Sequence, residues 1–85
     1  MKKSTHTPEY QLVLKKLVEM RHAAGLTQRE LATLLKREYS FIWRIEKGER
    51  RLDLVEFRWV CQALNVSPEK IYRDLMQEMN NIINT

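Results

Sequence analysis

Tyr39, Ser40, Trp43 and Arg44 share an arc of about 140° when residues 39–47 are wound as a helix, and Phe41, Ile42 and Ile45 fall on the other side. The first face carries a phenol, a hydroxyl, an indole and a guanidinium. Such a set hydrogen-bonds, stacks and pairs with anions. It has no general base beside a nucleophile, so it is suited to recognition rather than bond-making. An α-helix fits the major groove of B-DNA, where a guanidinium can bond guanine twice and the other groups can meet base edges and phosphates. The apolar face would seat the same helix on a core.

Charge points to the same stretch. The 85-residue chain has a net charge of +4. Residues 36–51 hold Lys36, Arg37, Arg44, Lys47, Arg50 and Arg51 against Glu38, Glu46 and Glu49, a balance of +3. Residues 1–35 are also +3, whereas 52–70 and 71–85 are each −1. A polyanion would therefore be met by the first fifty residues. Lys36 and Arg37, before the recognition segment, and Arg50, after it, are candidate DNA contacts.

The elements that must hold this face are legible from their ends. Residues 1–6 are polar and basic and read as a flexible arm. Thr7-Pro8-Glu9 supplies a hydroxyl cap, a proline at the first helical position and an acid in the first turn, and opens a helix expected to reach about Ala24 before Gly25. Thr27 with Glu30 has capping-box spacing and opens a second helix over 28–35. A turn of about three residues leads to the third helix, 39–47, ended by Gly48, and so short a turn forces a steep crossing. Ala32 faces that crossing. Asp53 and Glu56 open a fourth helix with an apolar stripe of Leu54, Phe57, Val60, Cys61 and Leu64. Ser67-Pro68-Glu69 repeats the first signature and opens a fifth helix reaching about Asn84. The expected fold is all-α, a five-helix DNA-binding domain over residues 7–75, with a C-terminal extension over 76–85.

Other classes are excluded on simple grounds. One cysteine, Cys61, allows no internal disulfide, so the core holds the fold and a reducing, cytoplasmic setting is expected. No apolar run approaches the length of about 18 residues that spans a bilayer, and the polar N-terminus is no signal peptide. His6 and His22 lack acids and cysteines at ligand spacing, so no metal and no cofactor are expected. There is no nucleophile–base pair to make the chain an enzyme.

The run Gly25-Leu26-Thr27-Gln28-Arg29-Glu30-Leu31-Ala32, followed by Ile42-Trp43-Arg44-Ile45-Glu46-Lys47-Gly48, resembles the phage-repressor/Cro, or Xre-like, helix-turn-helix regulators. Ala63-Leu64-Asn65-Val66-Ser67 is similar to that family's run between its fourth and fifth helices. The resemblance covers about residues 10–75. It implies a repressor-like fold and binding of operator DNA, usually as a two-fold dimer, to regulate transcription. It assigns base reading to Tyr39, Ser40 and Arg44, a phosphate contact to Gln28, and a buried salt bridge to Arg21 with Glu46.

This sequence departs from the family pattern twice. Lys36 stands where the turn usually has glycine: either the turn is rebuilt with Lys36 helical, or, as expected here, Lys36 takes positive φ and gains a phosphate contact. Trp43 stands on the reading face where a small polar residue is usual.

Ile71, Tyr72, Leu75, Met76, Met79, Ile82 and Ile83 form a stripe on the fifth helix. Its second half is expected to lack core to cover and to serve as a homodimer contact. An antitoxin-type autorepressor using this helix for a protein partner is one rival. A protein-interaction module without DNA binding is the other.

Overall fold

The capping residues set the helices. The computed structural model describes residues 6–83, which contain α1 (Pro8–Ala23), α2 (Gln28–Leu34), α3 (Tyr39–Glu46), α4 (Leu54–Ala63) and α5 (Pro68–Ile83). The basic arm, apart from His6, lies outside the described residues. The Thr7 hydroxyl accepts from the Tyr10 N–H at 3.1 Å, with proline at the start of α1. Thr27 and Glu30 cap α2 reciprocally at 3.0 and 2.9 Å, and Asp53 and Glu56 do the same for α4 at 2.8 and 3.0 Å. Ser67 Oγ accepts from the Lys70 N–H at 3.2 Å. Only α3, begun by Glu38, has no side-chain cap, so packing must hold it.

The first four helices end by one device. The chain turns through a left-handed residue whose N–H, and that of the next residue, bond back to the last helical turn. At α2 these bonds are Lys36 N–H to Thr33 O, 3.0 Å, and Arg37 N–H to Ala32 O, 2.9 Å. Gly25 and Gly48 serve at α1 and α3, Lys36 at α2 with φ 56° and Asn65 at α4 with φ 60°. Lys36 thus has the positive φ expected of it. Asparagine tolerates that region through local hydrogen bonding, whereas lysine bears a cost of about 1–2 kcal/mol there. Lys36→Gly removes the strain but loosens the unfolded chain by roughly 0.5–1 kcal/mol. The expected outcome is a variant that is neutral or up to about 1 kcal/mol more stable in urea unfolding. A clear loss of stability would show that the lysine side chain itself holds the turn.

The core lies where the five helices converge. Leu17 and Met20, Leu31 and Ala32, Ile42 and Ile45, Phe57, Val60 and Cys61, and Leu75 supply it from α1 to α5 in turn. Each large side chain so buried contributes roughly 1.5–3 kcal/mol of transfer free energy. Ala32 is 1% exposed where α2 meets α3, so a larger residue would force the two helices apart. Burial pushes the Cys61 thiol up to about 11, which leaves it protonated and unreactive at neutral pH. The Tyr10 hydroxyl accepts from the Leu52 N–H at 2.9 Å and ties α1 to the α3–α4 loop.

α5 departs from the expected picture. It packs along α1, with Lys16 Nζ 3.3 Å from Glu78 Oε2. Leu75 is 4% exposed, and Met76 and Met79 pack on the core. Residues 76–79, expected to begin a spare extension, therefore pack with the bundle. The cause is the contact with α1, whose Tyr10 and Val13 line one pocket with Met76 and Met79. No helix among the described residues is long and apolar enough to cross a membrane.

Candidate nucleic-acid interface

A buried ion pair fixes the orientation of α3. Arg21 Nε donates to Glu46 Oε2 at 2.7 Å and Arg21 Nη2 to Glu46 Oε1 at 3.0 Å, while Nη1 donates to the Leu26 carbonyl at 2.9 Å. The two side chains are only 10% and 8% exposed. Gln28 Nε2 adds a third bond to Glu46, 2.8 Å to Oε1, and Gln28 Oε1 accepts from the Tyr39 hydroxyl at 3.2 Å. A continuous chain of bonds therefore runs from α1 through the last residue of α3 to the first. It takes the place of the missing cap. Gln28, expected to face a phosphate, has its amide turned to Glu46 and Tyr39, because the buried carboxylate needs more acceptor bonds satisfied than Arg21 alone supplies.

The opposite face of α3 is open. Ser40 and Arg44 are exposed, and Tyr39 is 40% exposed. Arg44 makes no side-chain hydrogen bond or ion pair among the described residues, which leaves its guanidinium available. Trp43 is half-buried beneath Lys47, whose Nζ lies 4.7 Å from the ring centre. Arg29 covers the Tyr39 ring at 4.7 Å. Arg37 lies 5.2 Å from the Phe41 ring and 5.0 Å from that of Trp59, and Lys36 is exposed at the turn. Tyr39, Ser40, Trp43 and Arg44 thus share the outward side of α3, whereas Lys36 and Arg37 lie at the turn toward α4, where they line a surface pocket with Trp59, Gln62 and Ala63. Residues 39–47 gave no sign that Arg29 belongs beside Tyr39. Its place one residue after Gln28, on the helix that bonds Tyr39, is what brings it in.

Arg50 stands apart from this set. Its guanidinium pairs bidentately with Glu56, Nη2 to Oε2 at 2.7 Å and Nη1 to Oε1 at 2.9 Å, and Nη1 also donates to the Arg51 carbonyl at 3.1 Å. Its other side covers Phe41 at 4.8 Å. Arg50, expected to meet a phosphate, is held by Glu56 in the free protein, with its side chain 39% exposed. Glu56 is turned inward to cap α4, and a buried carboxylate needs a cation close by. The Arg50 hydrogen bonds hold the Glu56 carboxyl below its ordinary range against burial, which pushes it up, with help from the Asp53 backbone N–H. Glu56 raises Arg50 in return, chiefly through the same hydrogen bonds.

A carboxyl depressed in the folded state contributes stability that is present above its unfolded value of about 4.3 and is lost as pH falls through the folded value. Stability is therefore expected to drop in acid. Glu56→Gln should lower it at neutral pH and remove part of that acid slope. Urea midpoints across the acid range check this, and an acid slope identical in the variant would assign the loss to other carboxyls.

A second exposed surface lies between α4 and α5. Leu54, Val55, Trp59 and Tyr72 are 73%, 56%, 39% and 51% exposed. With Phe57 and Met76 they line an open groove of about 850 Å³, rimmed by Arg58, Arg73 and Glu69. Among the described residues much of the exposed apolar surface is here, with Leu34 lying outside it, whereas Met79 packs on the core. Among the described residues no group of histidines, cysteines and acids is placed to hold a metal ion.

A family model described as a helix-turn-helix domain matches residues 15–73. No curated protein matches the chain. Solved structures do. An XRE-family like protein from Pseudomonas syringae pv. tomato is 40% identical, with a TM-score of 0.80 over 88% of this chain and 94% of that one. The restriction-modification controller protein C.AhdI from Aeromonas hydrophila is 33% identical, with a TM-score of 0.63 over 72% and 96%. The clp gene regulator ClgR from C. glutamicum, with a TM-score of 0.72 over 87% and 96%, is 22% identical and shares the fold.

Proposed function

Since this chain belongs to the Xre family of helix-turn-helix regulators, which bind DNA and regulate transcription, we propose that it occupies an operator as a two-fold dimer with α3 in the major groove. The single observation that carries this reading is the exposed face of α3, held from behind by Arg21, Glu46 and Gln28. A reading helix gains affinity when its side chains are ordered before contact. Arg44 reads a base pair, Tyr39 and Ser40 contribute at the entry of the helix, and Lys36 and Arg37 meet the backbone beside it. Gln28 acts by positioning Tyr39. Arg50 is outside the contact set. The groove between α4 and α5 is the two-fold contact, since Arg58 and Arg73 of one copy can face Glu69 of the other across an apolar centre.

Selection from a randomised duplex library tests the reading. Enriched duplexes with inverted half-sites are the expected result. A chain that enriches no duplex would sink it and leave the protein-interaction rival. Arg44→Ala is expected to lose about 1–3 kcal/mol of preference at one base pair per half-site and to leave the other positions unchanged. Uniform weakening across all sequences would reassign Arg44 to the phosphates.

A further inference from the structure

Tyr39 and Trp43 lie one helical turn apart on the open face of α3, about 6 Å along the axis. Each ring is held in place. The Tyr39 hydroxyl donates to Gln28, and Arg29 covers the ring at 4.7 Å. Trp43 is half-buried beneath Lys47 at 4.7 Å, and neither ring is among the side chains packed on the core. Both rings therefore lie on the outward side, each covered by a cation. Because the tyrosine's one hydroxyl hydrogen is engaged within the protein, its principal offering outward is apolar ring surface. The helix presents two fixed aromatic surfaces flanked by Ser40 and Arg44.

In the major groove one base substituent is apolar: the methyl group at C5 of thymine. Apart from base C–H edges such as cytosine C5–H, which present far less apolar surface than a methyl, the other groups exposed there are donors or acceptors, and an aromatic ring pressed on one would strip its water and return no hydrogen bond. We infer that Tyr39 and Trp43 form an aromatic ridge that selects pyrimidines carrying a C5-methyl group in the major groove. Thymine meets that requirement, and 5-methylcytosine meets it equally. The inference rests on the DNA-binding reading above and adds the base chemistry that reading lacks. Arg29 and Lys47, placed on the two rings, bring positive charge to the phosphates on either side of the contacted pyrimidines.

The test uses the full wild-type chain and a duplex enriched from the randomised library. That duplex is resynthesised with deoxyuridine in place of each thymidine in turn, which removes only the methyl group. Affinity is read by fluorescence anisotropy. Removing a contacted methyl is expected to weaken binding about fourfold, equivalent to about 0.8 kcal/mol, and removing its symmetry-related mate as well roughly fifteenfold. Replacement at other thymidines should change nothing. Trp43→Gln and Tyr39→Gln should each bind more weakly and lose one methyl's share of the discrimination.

Equal affinity of the wild-type chain for the thymidine and deoxyuridine duplexes would overturn the inference, with DNA binding itself intact. Two folded variants that keep the full discrimination would also overturn it, by removing the rings from the contact. If no duplex is enriched at all, the DNA-binding reading fails and the inference falls with it.

Discussion

Glu46→Ala is expected to lower the unfolding free energy by about 3–5 kcal/mol, the range for breaking a buried ion pair from one side. Whole domains of this size are held by about 5–15 kcal/mol, so the variant should be partly unfolded near body temperature. The magnitude follows from what is left behind. Glu46 accepts two bonds from Arg21 and one from Gln28, all at 2.7–3.0 Å. Its removal strands a guanidinium that is 10% exposed and turns the Gln28 amide loose. A control separates stability from recognition. Replacing both partners with apolar residues of similar size, Arg21→Met with Glu46→Leu, removes the stranded charge and should recover most of the loss. DNA affinity should not recover with it, because Gln28 no longer has Glu46 to fix it and Tyr39 loses its holder. Urea unfolding of the single and double variants, with anisotropy on an enriched duplex, checks both halves. A single variant as stable as the parent would mean that the pair contributes little. A double variant with full DNA affinity would mean that Tyr39 needs no positioning.

Much of this arrangement was legible in the sequence because it is local. Thr7, Thr27, Asp53 and Ser67 announce helix starts through side chains that reach only three residues ahead. The wheel placed Tyr39, Ser40 and Arg44 outward and Ile42 and Ile45 inward because the period of a helix settles that alone. Lys36 at positive φ could be anticipated from the place it occupies in the family's turn. Asn65, with the same conformation, was passed over, although asparagine is one of the few side chains that accept it readily.

What the sequence concealed depends on neighbours far along the chain. Arg50 sits in a basic run and looks like its companions until the fold brings the inward-turned carboxylate of Glu56 beneath it. The lower half of α5 looks unpartnered until α1 is laid beside it. α1 carries its apolar residues around more than one side because it serves both α3 and α5, and spacing alone shows only one of those faces. On α4, spacing puts Arg58 and Trp59 on the outer face, off the core stripe, but it misplaces Leu54 for the converse reason. Leu54 belongs by spacing to the core stripe, yet it is 73% exposed at the start of the helix, at the open groove shared with α5.

Val55→Glu is expected to leave the fold intact and to weaken operator binding by roughly two to three orders of magnitude at nanomolar protein, the scale set by linking two binding events. Val55 is 56% exposed and stands in the first turn of α4, where an added acid favours the helix rather than opposing it. The fold should therefore not suffer. The groove should. A second copy closing over Leu54, Val55, Trp59 and Tyr72 would have to strip water from the new carboxylate. Arg58 and Arg73 line the same groove, but pairing with either would leave an ion pair to be desolvated at a contact that is otherwise apolar. Two half-sites lie about 34–36 Å apart, one turn of DNA, so a dimer must hold its two α3 helices at that separation to bind both at once. A chain that cannot pair binds each half-site alone and loses the advantage of linkage, even though every residue of its reading face is untouched. Sedimentation of the parent and the variant at micromolar concentration, beside anisotropy on the same duplex, separates the steps. A dimeric parent, a monomeric variant and a shared unfolding midpoint are the expected results. A variant that still sediments as a dimer and binds like the parent would place the two-fold contact elsewhere. A parent that is monomeric both in solution and on DNA would remove the dimer from the mechanism and leave the groove without a role in operator binding.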